Sequence, residues 1–555
     1  MNEKILQLIR ERGLLIDRDV YKVLDMLENA DVAGEMLESL EKISGQKFIT
    51  RGVLNKNFGF VKQTLAKLPG EAQLVLEKTF VNLGISLEVS SERKVIGEEG
   101  KKELRRNTQK FRVFYAETKP DKKIEVGDFT GYFRARFQQI QKILMGRPEL
   151  QNNLVSIGKI AGERANFSFI GVVREKRVTK NKNLIITFED LTGKINALVK
   201  FERQEIFEKA EELQLDDVVG VKASGNNEMV FIYDIFYPDA FIYEKTRFEE
   251  DVNVAFLSDV HAGSDRHLRR SMDNFLKWLN SEDETARKIK YIFFVGDNVD
   301  GVGIFPTQEE FLELKTMKEQ YELLASYLKR IPREIMIFMC PGQHDAVRVA
   351  EPQPIICRRY ASALYEIENL VLVTNPAMEK LLEGDKEFKI LMYHGGSIHA
   401  FINEVKELRE LKAHKCPAKA IKHMLKRRHL APSHGVSPQM IYIPNVENDP
   451  LVISEVPDVL CTGEVHRLDV ENYHGTLMIT GSCWQAQTAF EESIGNEVDP
   501  AKVAVLNLKT REFKILDFGV REEIERDYSV ARIPRESGED AEEEEIIEEA
   551  DGGAE

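Results

Sequence analysis

VNVAFLSDVHAG (residues 252–263) and KYIFFVGDNVDG (residues 290–301) decide how this chain folds. Each is a strand-length apolar run without polar alternation, and each stops abruptly at groups that bind cations or move protons. An unbroken apolar run fits a strand buried on both faces, as in a sheet covered by further layers on each side. Asp259 and His261 close the first run. Gly296 and Asp297, followed by Asn298 and Asp300, close the second.

The pattern returns three times downstream. EIMIFMC (334–340) leads into Pro341-Gly342-Gln343-His344-Asp345, FKILMY (388–393) into His394-Gly395-Gly396, and PDVLCT (457–462) into Gly463-Glu464-Val465-His466. Strands alternate here with helical patterns, so residues 250–520 read as a layered α/β domain. In open α/β sheets, sites form beyond the carboxyl ends of strands, which places all five endings together. One Asp or His at a strand end is usually structural; five in order are not explained that way.

Asp259 and His261, two apart as the strand ends, can reach the same side and chelate one ion. Asp297 follows a glycine, and its carboxylate could bridge two ions. Mixed carboxylate and imidazole ligands suit manganese, iron or zinc better than calcium. Two such ions roughly 3.5–4 Å apart clamp a phosphodiester and acidify a bound water. No GxxxxGK[ST] loop and no GxSxG elbow is present, so neither nucleotide hydrolysis on a P-loop nor a serine esterase is indicated.

Outward from this domain, the period changes. Residues 151–245 carry short strands (FSFIGVVREKRV, LIITFED, INALVKF, DVVGVKASG, MVFIYDIF) with a turn at Asp190-Leu191-Thr192-Gly193, which predicts a five-stranded OB-type β-barrel. Phe167, Phe169, Phe188 and Phe201 are either core or stacking platforms for bases. Within residues 51–150, a linker is expected up to a helix capped by Asp128, with Phe129, Phe133, Phe137, Ile140 and Leu144 at helical spacing. Residues 1–50 read as a small helical module, beginning with MNEKILQLIRERG, a charged amphipathic pattern and not a signal peptide.

The net charge of −16 is concentrated at one end. Residues 536–555 hold eleven acidic residues and no basic one, and the remaining body is near −5. Residues 521–555 are expected to be a disordered acidic tail. Acidity therefore does not exclude nucleic acid; any grip on it is local or shared with a partner. Five single cysteines without CxxC spacing argue for a reducing cytoplasm and against a zinc finger or disulfides. No apolar run reaches membrane-spanning length, so no membrane partner is expected.

The order DxH, GDxxD, G(N)HD, HG, G(H)xH resembles the calcineurin-like metallophosphoesterase superfamily, which includes double-strand-break-repair nucleases. Together with DFTGYFRARFQQIQKIL (128–144), the barrel, LKRRHLAPSHG (425–435), EVPDVLCTGEVH (455–466) and GSCWQAQT (481–488), the chain resembles the small subunit of archaeal family D DNA polymerase over roughly residues 125–520. The resemblance implies a 3′→5′ exonuclease on single-stranded DNA. It also implies a large catalytic subunit as partner and primer–template DNA as the shared substrate. A sliding clamp is a further partner that it leaves open.

Carried onto this sequence, the nuclease pattern gives Asp259, His261, Asp297 and His466 to a first divalent ion. Asp297, Gln343, His394 and Glu464 fall to a second, where the pattern has Asn and His in place of Gln343 and Glu464. Both departures touch one ion and make it more oxygen-rich, shifted toward manganese, with magnesium or iron also admitted. His344 takes the place of the group beside the leaving 3′-oxygen, with Asp345 to orient it and Asn298 and Asp300 in support. Eukaryotic relatives of this architecture have lost their ligands, so the same departures also admit a weakened or inactive scaffold subunit. No DNA-binding residue is assigned: Leu425–His429, Arg269-Arg270 and Arg358-Arg359 fit phosphate contacts, solvent and a protein partner alike.

Overall fold

The apolar run at Asn253–Leu257 is buried at every position, and its two faces enter two different cores. Val254 and Phe256 pack with Phe293, Phe338, Phe388, Val459 and Ile479, whereas Ala255 and Leu257 pack with Phe275, Leu276, Tyr321 and Leu324. This is the physical reason for the missing polar alternation. The computed structural model describes residues 110–525 apart from 119–122, 152, 163, 433–441, 489–490 and 493–495, together with scattered residues between 9 and 49.

Two six-stranded sheets stack face to face. One runs Leu370–Leu372, Met336–Cys340, Ile289–Val295, Asn253–Leu257, Lys502–Asn507, Phe513–Asp517, with its first four strands parallel. The other runs Asp469–Tyr473, Thr476–Thr480, Val459–Thr462, Lys386–Met392, Ala377–Glu383, Phe111–Tyr115, with a parallel trio at its centre. Helices at Arg269–Leu279 and Met317–Leu328 cover the first sheet, and those at Ile398–Glu404 and Ala418–Arg427 cover the second. The result is the expected layered α/β arrangement, with parallel strands buried on both sides.

Ahead of it stands a closed barrel whose strands, numbered along the chain, lie in the order first, second, third, fifth, fourth. A helix, Gln204–Glu212, sits between the third and fourth. The five-stranded closed barrel expected at 151–245 is therefore present. Phe167, Phe169 and Phe188 fill its core, which removes them as stacking platforms, while Phe201 is 39 % exposed with the Lys182 ammonium 5.6 Å from its ring centroid.

Three expectations need correction. Phe111–Tyr115 is not linker: it pairs antiparallel with Ala377–Glu383 as the edge of the second sheet. The helix Val126–Met145 is capped by Glu125, with Asp128 completing the capping box from inside, and Phe129 and Phe133 stay partly exposed while Phe137, Ile140 and Leu144 are buried. Residues 521–525, expected in the acidic tail, are instead ordered: the Glu523 carboxylate accepts from the Arg270 and Ser271 amides at the start of the Arg269–Leu279 helix. There its charge meets the positive end of the helix dipole. Residues 526–555, the expected linker at 51–109 and most of the 1–50 module lie outside the described residues; a two-residue parallel pair joins Leu15–Ile16 to Phe48–Ile49.

The LKRRH run is consumed in holding barrel and layered domain together. Lys426 pairs with Glu212 and Arg427 with Asp217, both from the barrel, and Arg428 donates to the carbonyls of Ile453, Asp239 and Ser454. His423 accepts from the Arg427 guanidinium at 3.0 Å and must stay neutral to do so. Burial, followed by the charge of Arg427, pushes its pKa down to about 2. A histidine depressed in the fold contributes stability that is full above its unfolded value and lost as pH falls below it. Acidifying from pH 7 to pH 5 is thus expected to cost this contact about 2 kcal/mol, a loss that His423→Gln should largely remove in denaturant titrations.

Candidate metal centre

The carboxyl ends of both parallel strand sets meet at one edge of the sandwich. Asp259 and His261 follow Asn253–Leu257, Asp297 follows Ile289–Val295, and Gln343 and His344 follow Met336–Cys340, all from the first sheet. His394 follows Lys386–Met392, and Glu464 and His466 follow Val459–Thr462, from the second. The connecting backbone is unusual: Asp259, His261, Asp297, Glu464 and His466 all have positive φ, between 46° and 71°. That region is costly for residues with a Cβ, and it clusters at functional sites. Here it turns each chain sharply out of its strand so that the side chains converge.

Gly342 has a specific steric reason. A Cβ there would lie 2.1 Å from Asp297 Oδ1 and 2.7 Å from His394 Cδ2, so only glycine lets this strand end pass the carboxylate. Gly296 is equally constrained, with His394 Nδ1 2.2 Å from where its Cβ would be.

Donor atoms crowd together here. The Nε2 atoms of His261 and His466 are 3.2 Å apart, and His394 Nε2 is 3.2 Å from both Asp297 Oδ2 and Glu464 Oε2. Yet His394 Nε2, Asp259 Oδ2 and Gln343 Oε1 are buried with no hydrogen-bond partner. Buried polar atoms left unpaired at such cost ask for a missing partner. Among the described residues, ligand atoms converge in three groups, each within 4.8 Å: Asp259, His261 and His466; His261, Asp300 and His344; and Asp259, Asp297 and His394. Asp259 joins the first and last of these, a shared position that the motif pattern assigns to Asp297 alone. The donor set fits divalent cations, and the orphaned Gln343 oxygen is a hard donor of the kind manganese or magnesium takes.

Each imidazole is tied back through Nδ1. His261 meets the Asp300 carboxylate at 3.0 Å, His394 the Val295 carbonyl at 2.9 Å, and His466 the Glu491 carboxylate at 2.5 Å. Such ties fix the ring and leave Nε2 for a metal. Burial works against charge on His394 and His466, but the carboxylates of Asp297 and Glu491 overcome it and hold both well above the usual imidazole range. Burial likewise opposes ionisation of Asp297, and the neighbouring His394 and His344 outweigh it and hold its pKa low.

His344 and Asp345 part company. The His344 ring is oriented by the Asp300 carbonyl, 2.6 Å from Nδ1, and its Nε2 lies 3.8 Å from Asp297 Oδ2. Asp345 turns inward to accept from the amides of Asn298 and Gly342, the Asn298 side chain and the Tyr321 hydroxyl. Burial, then the Asp297 charge, raises it to about 6. The expectation that Asp345 orients His344 is therefore corrected: Asp300 does so, and Asp345 braces the loop beneath. Glu491 and Tyr321 are neighbours of the cluster that the strand-end pattern does not reveal. His399 also lies outside that pattern, yet its Nε2 comes within 3.8 Å of Glu464. Trp484 is fully buried, with its amide donating to the Asp259 carbonyl.

These features define a class: a closed barrel preceding a two-sheet α/β sandwich with Asp, His and Glu side chains gathered at its strand ends. The family model for the B-subunits of DNA polymerases alpha and epsilon matches residues 254–469, which span the ligand-bearing strands. The DNA polymerase II small subunit of Methanothermobacter thermautotrophicus is 33 % identical over 527 residues, covering 93 % of this chain and all of its own. That of Pyrococcus furiosus is 36 % identical over 71 % of this chain and 64 % of its own length, and that of Archaeoglobus fulgidus 36 % over 68 % and 75 %. This chain belongs to the family of archaeal DNA polymerase II small subunits.

Proposed function

We propose that this chain is a metal-dependent 3′→5′ exonuclease on single-stranded DNA ends, working as the small subunit beside a large catalytic polymerase subunit. The observation that supports it is the convergence of donor atoms from Asp259, His261, Asp297, His394 and His466 at the strand ends, while His394 Nε2, Asp259 Oδ2 and Gln343 Oε1 stay buried without a hydrogen-bond partner. Asp259, His261, Asp297 and His466 would hold one cation, and Asp297, Gln343, His394 and Glu464 the other. Bound divalent ions, manganese foremost, would neutralise the phosphoryl oxygens and acidify a water.

The chain's own groups do the rest. The Nδ1 ties to Asp300, Val295 and Glu491 keep three imidazoles in a ligating orientation. His344 is the most open imidazole of the cluster, with 21 % of its side chain exposed, and its Nδ1 proton rests on the Asp300 carbonyl. Burial alone would lower its pKa, but the charges of Asp297 and Asp300 outweigh burial and raise it, which favours the protonated ring. It can then protonate the leaving 3′-oxygen. A scaffold role alone gives no reason to keep three donors buried and unpaired beside five residues of strained backbone.

His344→Ala is expected to slow shortening of a single-stranded 3′ end by about 10²–10⁴-fold in manganese, with cation binding retained. Unchanged turnover in a folded variant would remove His344 from the reaction. The partner follows from the relatives' description as small subunits. Co-purification with a large polymerase subunit is the check, and a chain that stays alone refutes it.

A further inference from the structure

Beside His344 runs a loop that carries no charge and exposes its apolar side chains. Residues 301–308, GVGIFPTQ, contain no charge, and Val302, Ile304 and Phe305 are 44 %, 39 % and 44 % exposed. Apolar side chains normally fold inward when the backbone lets them. This backbone does not let them, because two fully buried glutamines pin its base. Gln308 donates to the Asp300 carbonyl at 2.8 Å and accepts from the Ile304 amide at 2.9 Å. Gln320 accepts from the Gly301 amide and donates to the Gly301 carbonyl at 2.9 and 3.0 Å.

The pins lead straight to the cluster. Asp300, which anchors Gln308, also holds the His261 ring by its carboxylate and the His344 ring by its carbonyl. A Cβ on Gly301 would lie 2.6 Å from the His344 carbonyl and 2.9 Å from Ile304 Cγ1, so the apolar tip springs directly from beside His344. Glu309 and Glu310 close the loop and repel phosphates from this rim. In the segment that follows His344, Gln353 Nε2 and the Cys357 amide donate to the Gly342 and Ala346 carbonyls, and Arg358 and Arg359 are exposed beside the exposed Ile355 and Tyr360. An uncharged, apolar tip next to His344 suits bases rather than the phosphate backbone.

We infer that the Val302–Pro306 loop is a wedge that receives the unstacked bases of a single-stranded 3′ end and keeps a paired end away from His344. The inference rests on the nuclease reading for its substrate. Stacking and apolar contact with bases are tolerant of sequence, as excision of any unpaired terminus requires. A paired terminus would have to be opened against the pinned loop before its last phosphodiester reached the cluster.

The test compares the intact chain with Ile304→Ser/Phe305→Ser in manganese on three probes: bis(p-nitrophenyl) phosphate, a single-stranded oligonucleotide, and the same strand fully paired. Small-diester turnover should hold within about twofold, while kcat/KM on the single strand falls about tenfold and the preference for unpaired over paired ends shrinks. Binding of a single strand bearing 3′-terminal 2-aminopurine, read by fluorescence in calcium, should weaken about tenfold as well. Unchanged affinity overturns the wedge, and so does loss of small-diester turnover, which would make the loop merely structural. If the intact chain hydrolyses none of the probes, the nuclease reading fails, and the 2-aminopurine measurement still decides the loop. A variant that binds the oligonucleotide normally but loses the large subunit would mark the loop as a protein contact and refute the inference.

Discussion

Asp297→Asn is expected to lower phosphodiester hydrolysis by on the order of a thousandfold and to remove most manganese binding. The carboxylate lies 3.2 Å from His394 Nε2 and 3.8 Å from His344 Nε2. It is almost wholly buried, and its low pKa keeps it ionised throughout the working range. Asparagine retains an amide oxygen to accept from the His344 amide, as Oδ1 now does at 2.9 Å, so the loop is preserved while the charge is lost. Calorimetric titration with manganese beside the activity assay separates the two effects. Full manganese affinity in the variant would mean that Asp259, which joins two of the ligand groups, is the residue the cations share.

Arg427→Ala is expected to produce the largest stability loss, about 3–5 kcal/mol, since it strands a buried charge. Arg427 donates to Asp217 at 2.8 Å and to the Glu212 carbonyl at 3.1 Å, with Tyr237 and Phe401 rings 5.2 and 5.4 Å from the guanidinium. Asp217, its partner, is 2 % exposed. Removing both charges should cost far less than removing one, so Arg427→Met with Asp217→Leu is expected to recover most of the loss. Because the contact joins barrel to sandwich, the single variant should show separated unfolding transitions where the parent shows one. A loss below about 1 kcal/mol would mean that the pair is not what docks the barrel.

The five strand ends are legible in the sequence because strand, turn and terminal polar residue all lie within a dozen positions. The barrel is legible for the same reason: its strands and turns are local. Partnerships across long separations are not. Glu491, which orients His466, belongs to a Thr488-x-x-Glu491 spacing that signals a helix start and says nothing of a histidine 25 residues earlier. Phe111–Tyr115 is hidden because it is an edge strand with only Val113 buried, and its partner strand begins more than 260 residues later. Asp345 misleads by adjacency: it follows His344 in the chain, yet its carboxylate turns inward to Asn298, Gly342 and Tyr321. In the LKRRH run the charges are plain to read but their partners are not, because those are barrel carboxylates more than 200 positions away.

The most direct test of a working two-ion nuclease is the product ladder from a 5′-labelled single-stranded oligonucleotide incubated with the purified chain in manganese. Stepwise shortening from the 3′ end, abolished by chelation and by Asp297→Asn, is the predicted result. No shortening, with or without the large subunit, would contradict it and leave the ligand cluster without a catalytic role.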